Sequence, residues 1–151
     1  MTTWQAPVKS SVLLADDGSP LRVFGNQFLL KVSGNESHGA LAFLTGSFAP
    51  GTGAVPHLHR GHDEIFYVLD GRFMFDLGAE TVEAESGALL FAPRGAPHGF
   101  VNVGDVPGRL IGVVAPAGYE QHFVEISGVP DGPGARAALA EIYQKYDQEP
   151  A

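Results

Sequence analysis

Between residues 21 and 116, short apolar runs alternate with Gly, Pro, Asn and Asp, a rhythm too quick for helices and suited to strands joined by tight turns. The pattern predicts strands at residues 27–32, 40–48, 54–59, 64–69, 72–77, 89–92, 98–102 and 109–115. Asp70-Gly71, between two β-rich runs, is a hairpin turn, and Gly34-Asn35 and Gly104-Asp105 mark further turns. Strand after strand with no helix between them predicts an all-β sandwich or barrel. Beyond Pro116 the period changes. Residues 117–126 can form a short helix over the mouth or edge of that barrel. Asp131 and Pro133 can start a second helix, in which Leu139, Ile142, Tyr143 and Tyr146 recur at i, i+3, i+4 and i+7. That stripe reads as packing against the barrel or a second subunit. The chain therefore divides into an N-terminal segment (1–20), a barrel (21–116) and a C-terminal helical segment (117–151).

Composition agrees with this division. The 151 residues are enough to bury one core, and 20 Gly with 11 Pro favour many turns over a helical bundle. The formal net charge of −8, with no Lys/Arg cluster, argues against nucleic-acid or anionic membrane partners. No apolar run approaches the roughly 18 residues of a membrane helix. Met-Thr-Thr-Trp-Gln at the start carries no basic region before an apolar core, so no secretory signal is expected. Cysteine is absent, which rules out disulfides and thiolate ligands and fits a cytoplasmic protein.

Candidate chemistry gathers in two glycine-bounded segments holding four of the six histidines. In the first, Gly51 to Gly71, His57 and His59 are two apart on a predicted strand, so both rings face the interior. Glu64 opens the next strand, where its carboxylate can come alongside. In the second, Gly87 to Asn102, a rigid turn of Pro93, Gly95 and Pro97 delivers His98 onto a strand as a fourth ligand. Imidazoles and a carboxylate suit one divalent ion of Fe, Mn, Ni, Co, Cu or Zn. Held by four such groups, an octahedral ion keeps two open positions for a bidentate substrate or O2.

The spacing resembles the cupin superfamily. Gly51, His57, His59, Glu64 and Gly71 match its first motif, and Gly87, Pro93, Gly95, His98 and Asn102 its second. Phe66-Tyr67-Val68-Leu69 and Pro116-Ala117-Gly118-Tyr119-Glu120 are similar to the quercetin-dioxygenase-like members, although Ala88 stands where an Asp is frequent. The resemblance implies an all-β cupin fold, a double-stranded β-helix or jelly-roll barrel with one or two short C-terminal helices. It also implies a metal-dependent enzyme.

His62 reads as an exposed turn histidine; if the strand begins early it shares the face of Glu64 and joins it as a catalytic candidate, orienting a ligand or carrying a proton. His38 is expected to be exposed, and His122 to pack against the barrel. Most of Phe43, Phe66, Phe73, Phe75, Phe91 and Phe100 are expected in the core, with a few making the pocket apolar. Arg60 and Arg94 read as surface or turn residues. Three functions compete. The first is a dioxygenase or oxygenase acting on an enolic or aromatic small molecule, with Glu64 as base. The second is a non-redox cyclase or isomerase of a polyketide-like compound. The third is a non-catalytic, metal-dependent small-molecule binder. Open strand edges lead us to expect a homodimer.

Overall fold

The computed structural model describes residues 9–151; the Met-Thr-Thr-Trp-Gln run and the rest of residues 1–8 lie outside them. The strands are β1 (Ser19–Val23), β2 (Asn26–Val32), β3 (Ala42–Phe48), β4 (Gly53–Leu58), β5 (Asp63–Asp70), β6 (Arg72–Asp76), β7 (Thr81–Glu85), β8 (Leu89–Ala92), β9 (His98–Asn102), β10 (Gly108–Ala115) and β11 (Glu149–Pro150). Two helices, α1 (Glu120–Ser127) and α2 (Ala135–Lys145), precede β11.

All strand pairs are antiparallel, in one six-stranded sheet ordered β1-β2-β3-β10-β5-β8 and one five-stranded sheet ordered β11-β4-β9-β6-β7. Among the described residues no ladder joins the two sheets, so the expected barrel is an open one. Its short edge strands find no partner on the opposite sheet, and packed side chains rather than backbone ladders span the gap. Alternation selects those side chains. In β3, Ala42, Leu44 and Phe48 are buried while Phe43, Thr45 and Ser47 are half-buried. Phe48, Val68, Phe73, Phe75, Phe100 and Leu110 form the main core between the sheets, with Phe48 and Phe100 edge to face at 5.1 Å.

Phe91 departs from the expectation of a core phenylalanine. It is 54% exposed, because its neighbour Ala92 takes the inward position and a strand has only two faces. The pattern also missed three strands. Pro20 sits in edge strand β1, where a missing N–H is tolerated. β7 lies at a sheet edge, exposed except for the half-buried Ala84, and β11 is a two-residue bridge. The hairpin at Asp70-Gly71 is present. Gly71 has φ 92°, and a Cβ there would stand 2.8 Å from Gly108 Cα, so the turn admits glycine alone without strain.

Helix α1 lies beside β1, tied there by the Arg22 N–H donating to Ser127 Oγ at 2.9 Å. In its first turn the buried Glu120 accepts from the Gly34 N–H at 2.8 Å, joining the helix start to the loop after β2. Leu139, Ile142 and Tyr143 of α2, with Tyr146 just after it, are half-buried on one face. These two helices close the end of the sandwich on which the histidines converge.

Candidate metal centre

Register brings the first two ligands together. β4 pairs β9 so that His57 lies directly opposite His98, with ring centroids 4.5 Å apart. His59 stands one residue past the end of β4, and its ring is 4.7 Å from that of His57, as the two-residue period requires. Glu64 comes from β5, in the opposite sheet, where it pairs with Val114 and Ala92. The group therefore bridges the two sheets. One ligand atom from each of His57, His59, Glu64 and His98 lies within 4.8 Å of the others, all four residues are buried, and the set can hold a metal ion.

Backbone carbonyls aim the rings. His57 Nδ1 donates to Val55 O at 2.7 Å, His98 Nδ1 to Ala96 O at 3.1 Å, and His59 Nδ1 to Asp147 O. A carbonyl only accepts, so each Nδ1 carries the hydrogen and each Nε2 is left for the centre. The turn that brings in His98 is itself held to the His59 loop, since the Gly95 N–H donates to His59 O at 2.5 Å. His98 Nε2 contacts Glu64 Oε2 at 2.7 Å, and His59 Nε2 lies 3.5 Å from the same oxygen. His59 Nε2 is buried with no hydrogen-bond partner. A cation among these four groups would satisfy that lone pair and accept both the carboxylate and the neutral rings, so the residues fit a divalent transition ion.

Protonation follows from the same contacts. Burial pushes His59 down to about 4 and lowers His57, keeping both rings neutral as ligands must be. For His98, burial acts downward too, but the hydrogen bond and charge of Glu64 outweigh it and raise the imidazole. Burial alone would raise the Glu64 carboxyl; the His62 and His98 imidazoles beside it outweigh that and hold it below the usual carboxylate range.

His62 is not the exposed turn residue the sequence suggested. It is 5% exposed, its Nε2 lies 3.7 Å from Glu64 Oε1, and its ring stacks on Tyr119 at 4.7 Å. The strand begins at Asp63, one residue after it, and Tyr119 from the end of the sandwich covers the ring, a long-range contact invisible in local pattern. It lies outside the four-residue group. His38 is exposed, as expected. Arg60 and Arg94 are surface residues paired with Glu149 and Asp63.

Three residues that sequence reasoning did not assign to the site complete its surroundings. The carboxylate of Asp147 accepts from the N–H groups of Arg60 and Gly61 at 2.7 and 2.5 Å, while its carbonyl holds His59. Tyr119, buried, donates to Gln148 Oε1 at 2.8 Å and touches His59 at 4.3 Å. His122 also stacks on Tyr119, at 4.8 Å. Eighty-odd residues separate Asp147 from the loop it pins, so no short-range signal could announce it. Beside the group opens a cavity of about 270 Å³, walled by Phe28, Leu44, Phe66, Phe100 and Leu110, with His57 and Glu64 on its polar side. Such a space admits a small, largely apolar molecule with a polar end at the histidines.

Among the described residues no helix is long and apolar enough to cross a membrane. A family model described as cupin domain matches residues 45–114. Tetracenomycin polyketide synthase protein TcmJ of Streptomyces glaucescens is 32% identical over 68 residues, covering 45% of this chain and 46% of that protein. Quercetin 2,3-dioxygenase of Aspergillus japonicus is 34% identical over 95 residues, covering 58% of this chain and 27% of that protein. The chain thus spans about half the length of the first of these and about a quarter of the second. An RmlC-like cupin from Shewanella frigidimarina superposes with a TM-score of 0.63 at 20% identity, over 75% of this chain and 96% of that one, a likeness of fold alone.

Proposed function

This chain carries a cupin domain, and from that premise we propose that it is a metal-dependent enzyme of oxygenase type acting on an enolic or aromatic small molecule. His57, His59, Glu64 and His98 are the ligands of one divalent ion. The observation that carries this reading is the convergence of three imidazoles and a carboxylate, each imidazole fixed through Nδ1, at the wall of a mainly apolar cavity. When bound, the ion would supply an electrophilic centre for the paired oxygens of an enol or catechol, with O2 as co-substrate. Glu64, held as a carboxylate, accepts the proton that the substrate hydroxyl must lose. His62 Nε2, 3.7 Å from Oε1, is the next group able to take that proton onward. The phenylalanine walls exclude water and accept a flat ring. The match to quercetin 2,3-dioxygenase supports the oxygenase class.

The match to the polyketide synthase protein TcmJ favours a second reading, a non-redox cyclase or isomerase using the same ligands. The deciding experiment is elemental analysis of protein made without added metal, paired with oxygen uptake on quercetin and simple catechols. Iron, manganese, nickel or copper with metal-dependent oxygen consumption is the expected result. Zinc with anaerobic conversion of a polycarbonyl compound would replace it with the second reading, and tight binding without turnover would leave a binding protein. We further propose a homodimer formed over the open sheet edges, where Leu89 and Phe91 of β8 are exposed.

A further inference from the structure

His122 is the one histidine of the cavity wall that neither the four-residue group nor the proton path uses. It is 3% exposed, and both its Nδ1 and its Nε2 are buried without a hydrogen-bond partner. Leaving such atoms unpaired is destabilising, and a phenylalanine would stack on Tyr119 equally well without that cost. The ring lines the same cavity as His57 and Glu64, among Phe123, Tyr143 and Gln148. Tyr119 touches both His59 and His122, its ring centroid 4.3 Å from that of His59 and 4.8 Å from that of His122, and it lines the cavity beside them.

We propose that His122 is a specificity-determining residue that hydrogen-bonds a third, uncharged oxygen of the substrate, at the end of an aromatic ring whose other end reaches the metal group. This rests on the metal-anchored reading above and names the substrate class more narrowly: a flat ring with paired oxygens at one edge and a carbonyl or hydroxyl opposite. An apolar cavity alone would hold either end of such a molecule equally; a polar atom at each wall orients it. Burial holds His122 down to about 4, so near neutral pH the ring is uncharged, offering one N–H and one lone pair. That complement suits a carbonyl or hydroxyl and leaves a carboxylate's charge uncompensated.

The test uses two catechols of matched shape, 3,4-dihydroxyacetophenone and 4-isopropylcatechol, titrated calorimetrically under argon into the zinc-loaded full chain. The wild type is expected to favour the acetyl compound by about tenfold. In His122→Phe the preference should collapse to within about twofold with zinc stoichiometry unchanged, and His122→Gln should restore part of it. A preference retained in His122→Phe at full zinc content, or absent from the wild type, overturns the assignment of His122. Failure of both catechols to bind the zinc-loaded wild type overturns the metal-anchored reading itself, and this inference with it.

Discussion

At His57, His59 and His98 one device recurs: a backbone carbonyl takes the Nδ1 hydrogen, so the ring can turn only its Nε2 toward the centre. The carbonyls of Val55 and Ala96 lie two residues before the rings they hold, which makes the His57 and His98 geometry a local property of strand and turn. Replacing either imidazole removes a ligand but little packing. His57→Ala and His98→Ala are each expected to weaken metal binding more than about 100-fold, judged against the smaller losses that follow removal of groups outside the ligand set. Elemental analysis checks this, with circular dichroism still reporting a folded β protein; unchanged metal content in either variant would refute the ligand set. Glu64 carries two roles in the proposed chemistry. Glu64→Gln should lower turnover by about 100-fold or more while weakening metal by roughly tenfold, and equal losses in steady-state rate and metal titration would refute its role as base.

Among the elements, the decisive connection is between the loop after β4 and the last residues of the chain. β11 pairs with β4 at His57 and Leu58, and Asp147 just before it grips Arg60 and Gly61 while its carbonyl fixes His59. The C-terminal strap therefore sets one ligand's orientation from outside the ligand set. Asp147→Ala should weaken metal binding by about tenfold, and removal of residues 147–151 by more, both read by competition with a chelator. A metal affinity equal to the wild type in the truncated chain would sink this. The sheet edges make a separate prediction. Light scattering should give a dimer mass, and Phe91→Glu on edge strand β8 should shift it toward monomer; a monomeric wild type would refute the homodimer. These elements also show where local pattern stops. The long, alternating strands β3, β5 and β10 were readable, since each buries one face. β7, whose apolar positions are only Val82 and the half-buried Ala84, and the two-residue β11 offer too little buried face to read, and they exist because a neighbour offers them hydrogen bonds.

For the molecule as a whole, the buried imidazoles set the pH dependence of the metal-free state. His59 and His122 titrate near 4 when folded and near 6.5 when unfolded, so between those values the unfolded chain holds more protons. Stability should therefore fall as pH drops from about 6.5 toward 4, by at most about 1.4 kcal/mol per pH unit for each of the two. His98 acts the other way: raised by Glu64, it contributes stability below its unfolded value that is lost as pH rises through its folded one. Urea unfolding of chelated protein across this range checks the prediction, and His122→Phe should flatten the acid limb; a flat profile in the wild type would refute it. The division between sequence and tertiary structure has the same physical root. The sequence by itself determined the strands with a buried face and the hairpin at Gly71, because strand period and turn chemistry act over a few residues, and its two spaced motifs marked the four residues able to meet around a cation. Only the folded molecule decided that His62 is buried, that Phe91 is not, that the sheets do not close, and that Asp147, Tyr119 and His122 surround the site. Those outcomes depend on which distant surfaces meet, and burial is a property of the meeting rather than of the residue.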